Sequence, residues 1–246
     1  MKILLTGDCG MIATHLKEFW NGKHDLILLD IKTGNDLRSC NLDYQCDLIL
    51  HLAGRSGVRK SLDDADAYWQ HNVLSFERLT KAFPKTKIIY ASSSTAKEPF
   101  RNPYAYTKYV IESIAPQNSL GLRFTTVYGS NVRDQMFIPK LLRKEIEYVN
   151  NHTRDFIHID DTVRAIDLAI NSNLTGIIDV GTGKSYPIKE LVDIIYGPND
   201  FQIQECDWHE RIDNVADNQQ LLELGWKQQI DIKSWLTKQA NELSII

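Results

Sequence analysis

The chain of 246 residues contains no long apolar run, and nothing in it approaches the roughly 20 consecutive apolar residues that a membrane-spanning helix requires. Its first residues carry no charged segment followed by an apolar one, so no secretion signal is read and a soluble, cytoplasmic protein with no membrane partner is expected. Cysteine is scarce. Cys9, Cys40, Cys46 and Cys206 form no Cys-x-x-Cys pair and no zinc-like spacing, so neither a disulfide framework nor a metal site is expected. Positive charge is not in excess either: a net charge of −4 and a pI near 6.0 give no basic field for nucleic acid. Repeats, low-complexity stretches and an obvious linker are also missing, which leaves one large domain, or one domain with a small appendage.

What is present begins at the N-terminus. Lys2-Ile3-Leu4-Leu5 runs into Thr6-Gly7-Asp8-Cys9-Gly10-Met11-Ile12-Ala13, a strand-to-helix turn of the dinucleotide-binding kind. Gly7 permits a positive φ, Gly10 lets backbone approach a pyrophosphate, and Ala13 lets the helix lie close on the strand. The phosphates would then meet free N–H groups at the helix start, around Cys9, Met11 and Ile12. Cys9 itself sits where a helix N-terminus can lower a thiol pKa. Ile12, Leu16, Phe19 and Trp20 give the helix one apolar stripe, and Leu26-Ile27-Leu28-Leu29 supplies a second strand ending at Asp30. A carboxylate there accepts hydrogen bonds from the adenosine ribose and repels a 2′-phosphate, which favours NAD over NADP.

Strand signals recur at Lys2–Thr6, Leu26–Asp30, Asp47–Leu52, Lys87–Ser92, Leu120–Phe124 and Ile177–Val180, with helical stretches between them. That alternation predicts a doubly wound parallel sheet of Rossmann type. The third strand ends in Leu52-Ala53-Gly54, small enough for backbone to lie against a cofactor at the carboxyl edge, where open α/β sheets bind ligands. A helix is predicted over Asp64 to Phe83, closed by Pro84 and carrying Asn72, whose place in mid-helix suggests a hydrogen-bonding task.

The fourth strand delivers Ser92-Ser93-Ser94 to the same edge, and Asn102-Pro103-Tyr104-Ala105-Tyr106-Thr107-Lys108 follows. Asn102 as N-cap and Pro103 as first helical residue put Tyr104 and Lys108 one turn apart on one helix face. An ammonium beside a phenol favours the phenolate, which would lower the Tyr104 pKa and make it a general base. A serine hydroxyl of the cluster can bond the same substrate oxygen. In the second half, Asp160 or Asp161 is expected to cap a helix beginning near Thr162, with His158 packing or making a hydrogen bond.

With these residues assembled, the chain resembles the extended short-chain dehydrogenase/reductase family, in its nucleotide-sugar epimerase branch. The resemblance rests on Thr6-Gly7-x-x-Gly10-x-x-Ala13, Asp30, Asp36-Leu37, His51-Leu52-Ala53-Gly54, Asn72, the serine cluster and Tyr104-x-x-x-Lys108. It continues through Leu122-Arg123-Phe124-Thr125-Thr126-Val127-Tyr128-Gly129, Arg154-Asp155-Phe156-Ile157-His158-Ile159-Asp160-Asp161, Glu210-Arg211 and Leu224-Gly225-Trp226.

It implies an NAD-binding core over residues 1–125, rejoined by 160–182, and a small substrate-binding α/β part over 126–159 and 183–246. It implies that Tyr104 is the base and Ser94 its hydroxyl partner, that Lys108 holds the nicotinamide ribose, that Asp36 and Leu37 meet adenine, and that Asn72 and Ser92 belong to the cofactor site. Thr126, Arg154, Glu210 and Arg211 fall on the substrate side, Arg154 and Arg211 toward the diphosphate and Glu210 toward a ribose. The implied reaction is epimerisation of a nucleoside diphosphate sugar, UDP favoured, through a keto sugar. A UDP-uronate decarboxylase, a keto-sugar reductase and a non-catalytic dinucleotide-binding protein remain as alternatives. Thr95-Ala96 after Ser94 lacks the acidic residues of the dehydratase branch, and the segment at Thr125-Thr126 leans toward a uronate. The connections after Ser94 and before Arg154 are shorter than the family's, on the substrate side. A homodimer through the helices over Asp64 to Phe83 and Tyr104 to Ala115 is also implied.

Overall fold

A computed structural model describes residues 1–198 and 200–243. Consecutive residues of its strands point to opposite faces of the sheet, and here both faces are covered. Ile3 and Leu5 pack with Leu48, Leu50 and Ile89 beneath the helices Met11–Trp20 and Ile159–Ile170. Leu4, Ile49, Ile88 and Tyr90 pack on the other face against Phe76, Leu79 and Ile111 of the helices Ser75–Ala82 and Pro103–Ile114. Burial of each such side chain contributes about 1.5–3 kcal/mol, and this explains why the strands read as near-continuous apolar runs.

The main sheet holds six parallel strands, in the spatial order Asp25–Leu29, Lys2–Thr6, Leu48–His51, Lys87–Ser93, Leu120–Phe124, Gly176–Val180. All six segments that the sequence marks as strands are in it. Successive strands are added on one side of Lys2–Thr6 and then, from Leu48–His51 onward, on the other, so the crevice of the switch point opens beside Gly7 and Leu52. Residues 34–47 form no strand, and Asp25–Leu29 is therefore the edge of the sheet.

Beyond the fifth strand a separate apolar cluster gathers Tyr128, Ile138, Val149, Phe156, Leu191, Val192, Ile232 and Leu236. Leu221 and Trp226 do not join it. They pack into the main core, so the segment after residue 183 is divided between the two clusters. The fully buried Asp161 carboxylate fixes this return: it accepts from the Gln229 and Ile230 amides at 2.9 and 3.0 Å and pairs with Arg164.

Three local expectations need correction. The helix Ile159–Ile170 is capped by His158, whose Nδ1 accepts from the Asp160 amide, and not by Asp160 or Asp161, because Asp161 is turned inward. Phe19 lies 45% exposed, and the buried stripe of the first helix is Ala13, His15, Leu16 and Trp20. The stretch predicted as one helix over Asp64 to Phe83 contains a wide π-turn at Trp69–Leu74 between α-helical Ala65–Tyr68 and Ser75–Ala82. Such turns re-aim a side chain within a helix, and this one carries Asn72.

His51 ends the third strand fully enclosed, its Nδ1 sharing a 2.8 Å hydrogen bond with the Thr6 hydroxyl, and burial pushes its pKa down to about 3. His152, buried on the substrate side, is pushed down to about 4, also mainly by burial. Both rings are neutral when folded and take up protons when unfolded below the ordinary histidine range. The stability they favour is thus present above about pH 6.5 and is lost as pH falls toward their folded values. Urea titrations should show stability falling between about pH 6.5 and 4, by up to about 1.4 kcal/mol per pH unit for each ring, and His51→Asn should flatten part of that slope.

Candidate active site

The cofactor edge is built from backbone. Gly7 has φ +74°, and a Cβ there would lie 2.6 Å from the Ala53 nitrogen, so the first turn presses directly on the Leu52-Ala53-Gly54 strand end. Gly10 is the N-cap of the helix Met11–Trp20, which leaves the Met11 and Ile12 amides in its first turn without helical acceptors. Asp30 closes the crevice. Its carboxylate accepts from the Cys9 amide at 3.1 Å and the Lys32 amide at 2.8 Å, which fixes the end of the second strand against the turn after Gly7. The residues present therefore fit a dinucleotide.

Asp8 adds a buried carboxylate beside this turn, held at 3.3 Å by Lys17, that the motif reading passed over. With Asp30 and Asp8 near it, and burial acting first, the Cys9 thiol is raised in pKa and not lowered, contrary to the helix-terminus expectation. Asp36 is engaged by Arg38, which holds its carboxyl at about 2, while Leu37 is only 6% exposed and belongs to the core. Leu37 thus offers adenine little surface. Asn72 clamps the loop beyond Gly54: its side-chain oxygen accepts from the Arg55 amide at 2.7 Å, and its nitrogen donates to the Arg55 carbonyl and to Thr107 at 3.0 and 2.9 Å.

The chemical centre follows from the cap. Asn102 accepts from the Ala105 amide at 2.8 Å, Pro103 begins the helix Pro103–Ile114, and Tyr104 and Lys108 rise on one face as the spacing predicts. Of the serine cluster, Ser93 is the hydroxyl that acts on the Tyr104 phenol, in the direction that favours its ionised form. Thr95 donates to the Ser93 oxygen at 2.9 Å, whereas Ser94 starts a buried 3-10 turn and its carbonyl accepts from Arg211 at 2.6 Å. Ser92 points away from this edge: its hydroxyl donates to Glu112 at 2.5 Å. Strand alternation carried the signal for both, since Ser92 shares a face with Tyr90 and Ser93 lies on the other.

Lys108 is almost fully buried. Its ammonium donates to the Ala91 carbonyl at 2.7 Å and stands 6.0 Å from the Tyr104 ring centre. Burial pushes its pKa down to about 8. The Tyr104 pKa is raised, by burial, with Ser93 and Arg133 acting in the opposite direction. The groups that favour the phenolate here are thus a serine and an arginine, and the expected lowering by Lys108 is not what the geometry gives. Arg133, missed in the sequence, also donates to the Ser56 carbonyl at 3.3 Å, which places a cation at the mouth of the site.

On the substrate side the structure brings Arg154, Glu210 and His152 together, with Arg154 and His152 each 3.6 Å from the Glu210 carboxylate. Arg59, a further residue that no motif flagged, reaches the same carboxylate at 3.1 Å. Arg154 also donates to the Thr153 and Ile212 carbonyls. Arg211 lies apart from this group, tied to Glu98 at 2.7 Å and to Ser94. Thr126 is half-buried and accepts from Asn214 at 3.2 Å. Among the described residues no helix is long and apolar enough to cross a membrane.

A dinucleotide turn, a carboxylate at the second strand end and a Ser-Tyr-Lys group on the same edge define a cofactor-dependent enzyme of the short-chain dehydrogenase/reductase type. The model of the NAD dependent epimerase/dehydratase family matches residues 3–181, and the chain belongs to that family. A putative UDP-glucose 4-epimerase of Methanocaldococcus jannaschii is 28% identical over 97% of this chain and 97% of its own length. A UDP-glucuronate 4-epimerase of Thermodesulfobacterium geofontis is 30% identical over 68% of this chain and 61% of its own. Among solved structures, MoeE5 in complex with UDP-glucuronic acid and NAD is 26% identical, with a TM-score of 0.85 over 100% of this chain and 99% of that one.

Because the Ser93 hydroxyl is the one that acts on the phenol, Ser93→Ala should lower turnover by about 10²-fold or more, while Ser94→Ala stays within about threefold. Steady-state kinetics of the two variants, with folding checked by circular dichroism, distinguishes them.

Proposed function

We propose that this protein epimerises a UDP-sugar at C4, with a hexuronate as the preferred sugar and no net redox change. The observation that carries the reading is the half-buried Tyr104 phenol at the carboxyl edge of the sheet, with the Ser93 hydroxyl favouring its ionised form. Bound NAD supplies a reversible two-electron store. The amides of Met11 and Ile12 would receive its pyrophosphate, and Asp30 its adenosine ribose. Lys108 would reach the nicotinamide ribose. Tyr104 takes the proton of the C4 hydroxyl as that carbon is oxidised, and Ser93 holds the oxygen as it becomes a carbonyl. The keto sugar then turns over, and Tyr104 returns the proton as the other face is reduced.

The substrate grips are cationic. Arg154 suits a diphosphate with its forked donors, and Glu210 suits a ribose diol. Arg133 is the cation whose charge favours the Tyr104 phenolate, so an anionic substituent on the reacting sugar would find its counter-charge there. A second copy fits the outer face of the helices Ala65–Tyr68, Ser75–Ala82 and Pro103–Ile114. Leu74, Tyr106, Tyr109 and Ile114 are exposed there, and Trp69 and Tyr106 line a groove of about 730 Å³.

Products formed from UDP-glucuronate should keep the substrate's mass and show altered ring couplings by NMR, with no stoichiometric absorbance change near 340 nm. Loss of carbon dioxide would instead assign a decarboxylase. Tyr104→Phe should abolish turnover and leave NAD affinity within about threefold, and loss of both would overturn its assignment as base. Arg133→Gln should raise KM for UDP-glucuronate about tenfold or more and leave KM for UDP-glucose nearly unchanged.

A further inference from the structure

The helix that carries Tyr104 and Lys108 carries a third group on the same face. Glu112 lies one turn beyond Lys108 and is 96% buried: its side chain keeps 4% of its exposure. A carboxylate so placed needs partners, and it has two. Ser92 donates to Oε1 at 2.5 Å, while Arg123 forks onto both oxygens at 2.8 and 2.6 Å. Strand and helix are thereby joined at successive positions, Lys108 to the Ala91 carbonyl and Glu112 to the Ser92 hydroxyl.

We propose that Glu112 is a positioning residue for the cofactor site, its buried carboxylate sustaining the ammonium form of Lys108 that grips the dinucleotide. The inference rests on the assignment of Lys108 to the nicotinamide ribose. The other groups around Lys108 cannot do this. On its own helix Tyr104 is 6.0 Å away and neutral until it ionises. From the third strand His51 is uncharged, and its pKa is lowered in part by Lys108 itself. From the fourth, Tyr90 is a phenol that burial pushes well above its ordinary pKa, and Asn72 from the π-turn carries no charge. Arg123 from the fifth strand has the wrong sign. Glu112, one turn along the same helix and tied to the strand residue next to the one that holds Lys108, is the group that opposes the effect of burial on it.

The test is NAD affinity against pH, measured by calorimetry without any sugar substrate, so that a failure of the proposed reaction leaves it untouched. In the wild type affinity should fall at alkaline pH as Lys108 loses its proton, and Lys108→Met should bind weakly with no such transition. Glu112→Gln should move the transition to lower pH by half a unit or more. The double variant Glu112→Gln/Arg123→Gln removes both charges of the pair without leaving either unpaired, and should move it the same way if the single variant folds poorly. Arg123→Lys keeps the ion pair and should leave it in place. A folded Glu112 variant, single or double, with the wild-type transition would overturn the proposal, as would an unchanged transition in Lys108→Met.

Discussion

The approach of Gly7 to Ala53 is the contact on which the site depends. A side chain at residue 7 would meet backbone at 2.6 Å, so the first and third strand ends touch main chain to main chain, with nothing between them. That closeness brings the phosphate turn, the Leu52-Ala53-Gly54 backbone and the loop clamped by Asn72 into one crevice at the switch point. The Thr6–His51 bond immediately beneath it, sealed from water, sets the register of the two strands. Such a site is stiff because its geometry comes from backbone that cannot move without breaking the sheet.

The helix Pro103–Ile114 then acts as a ruler laid across that edge. Its start is fixed by the Asn102 cap, and its steps of one turn place Tyr104, Lys108 and Glu112 along the fourth strand. Each is met by a different atom of that strand: the Ser93 hydroxyl, the Ala91 carbonyl and the Ser92 hydroxyl. Three consecutive strand residues thus serve three helical turns.

Most of the cofactor half was legible because its signals are local. A glycine at a positive φ, a carboxylate ending a strand and an Asn-Pro helix start each act through their own segment, and the six strands follow from apolar runs. The motif marks the serine cluster, with Ser94 as the implied partner of Tyr104, whereas the hydroxyl that acts on the phenol here is Ser93; which face of the strand each hydroxyl occupies decides its neighbours. Electrostatics were misjudged for a related reason. Spacing shows that Tyr104 and Lys108 share a face, but not that the ammonium turns to a strand carbonyl or that Arg133, from a distant loop, supplies the charge. Arg59 and Arg133 carry no local signature at all. Their place is set by folding of segments far apart in the chain.

The substrate side shows what the short connections leave behind. Glu210 gathers Arg59 and Arg154 beside the neutral His152, and Glu98 gathers Arg101 and Arg211, so each carboxylate is shared by two guanidinium groups. Within a folded chain alone, that imbalance is unfavourable, since half-buried guanidinium groups lose water and gain only one shared counter-charge. An anionic ligand reverses the balance: a diphosphate brought to Arg154 adds charge where the protein is short of it. On the proposed reading these cations would become a source of affinity for a diphosphate, with the Glu210 and Glu98 carboxylates holding them in place.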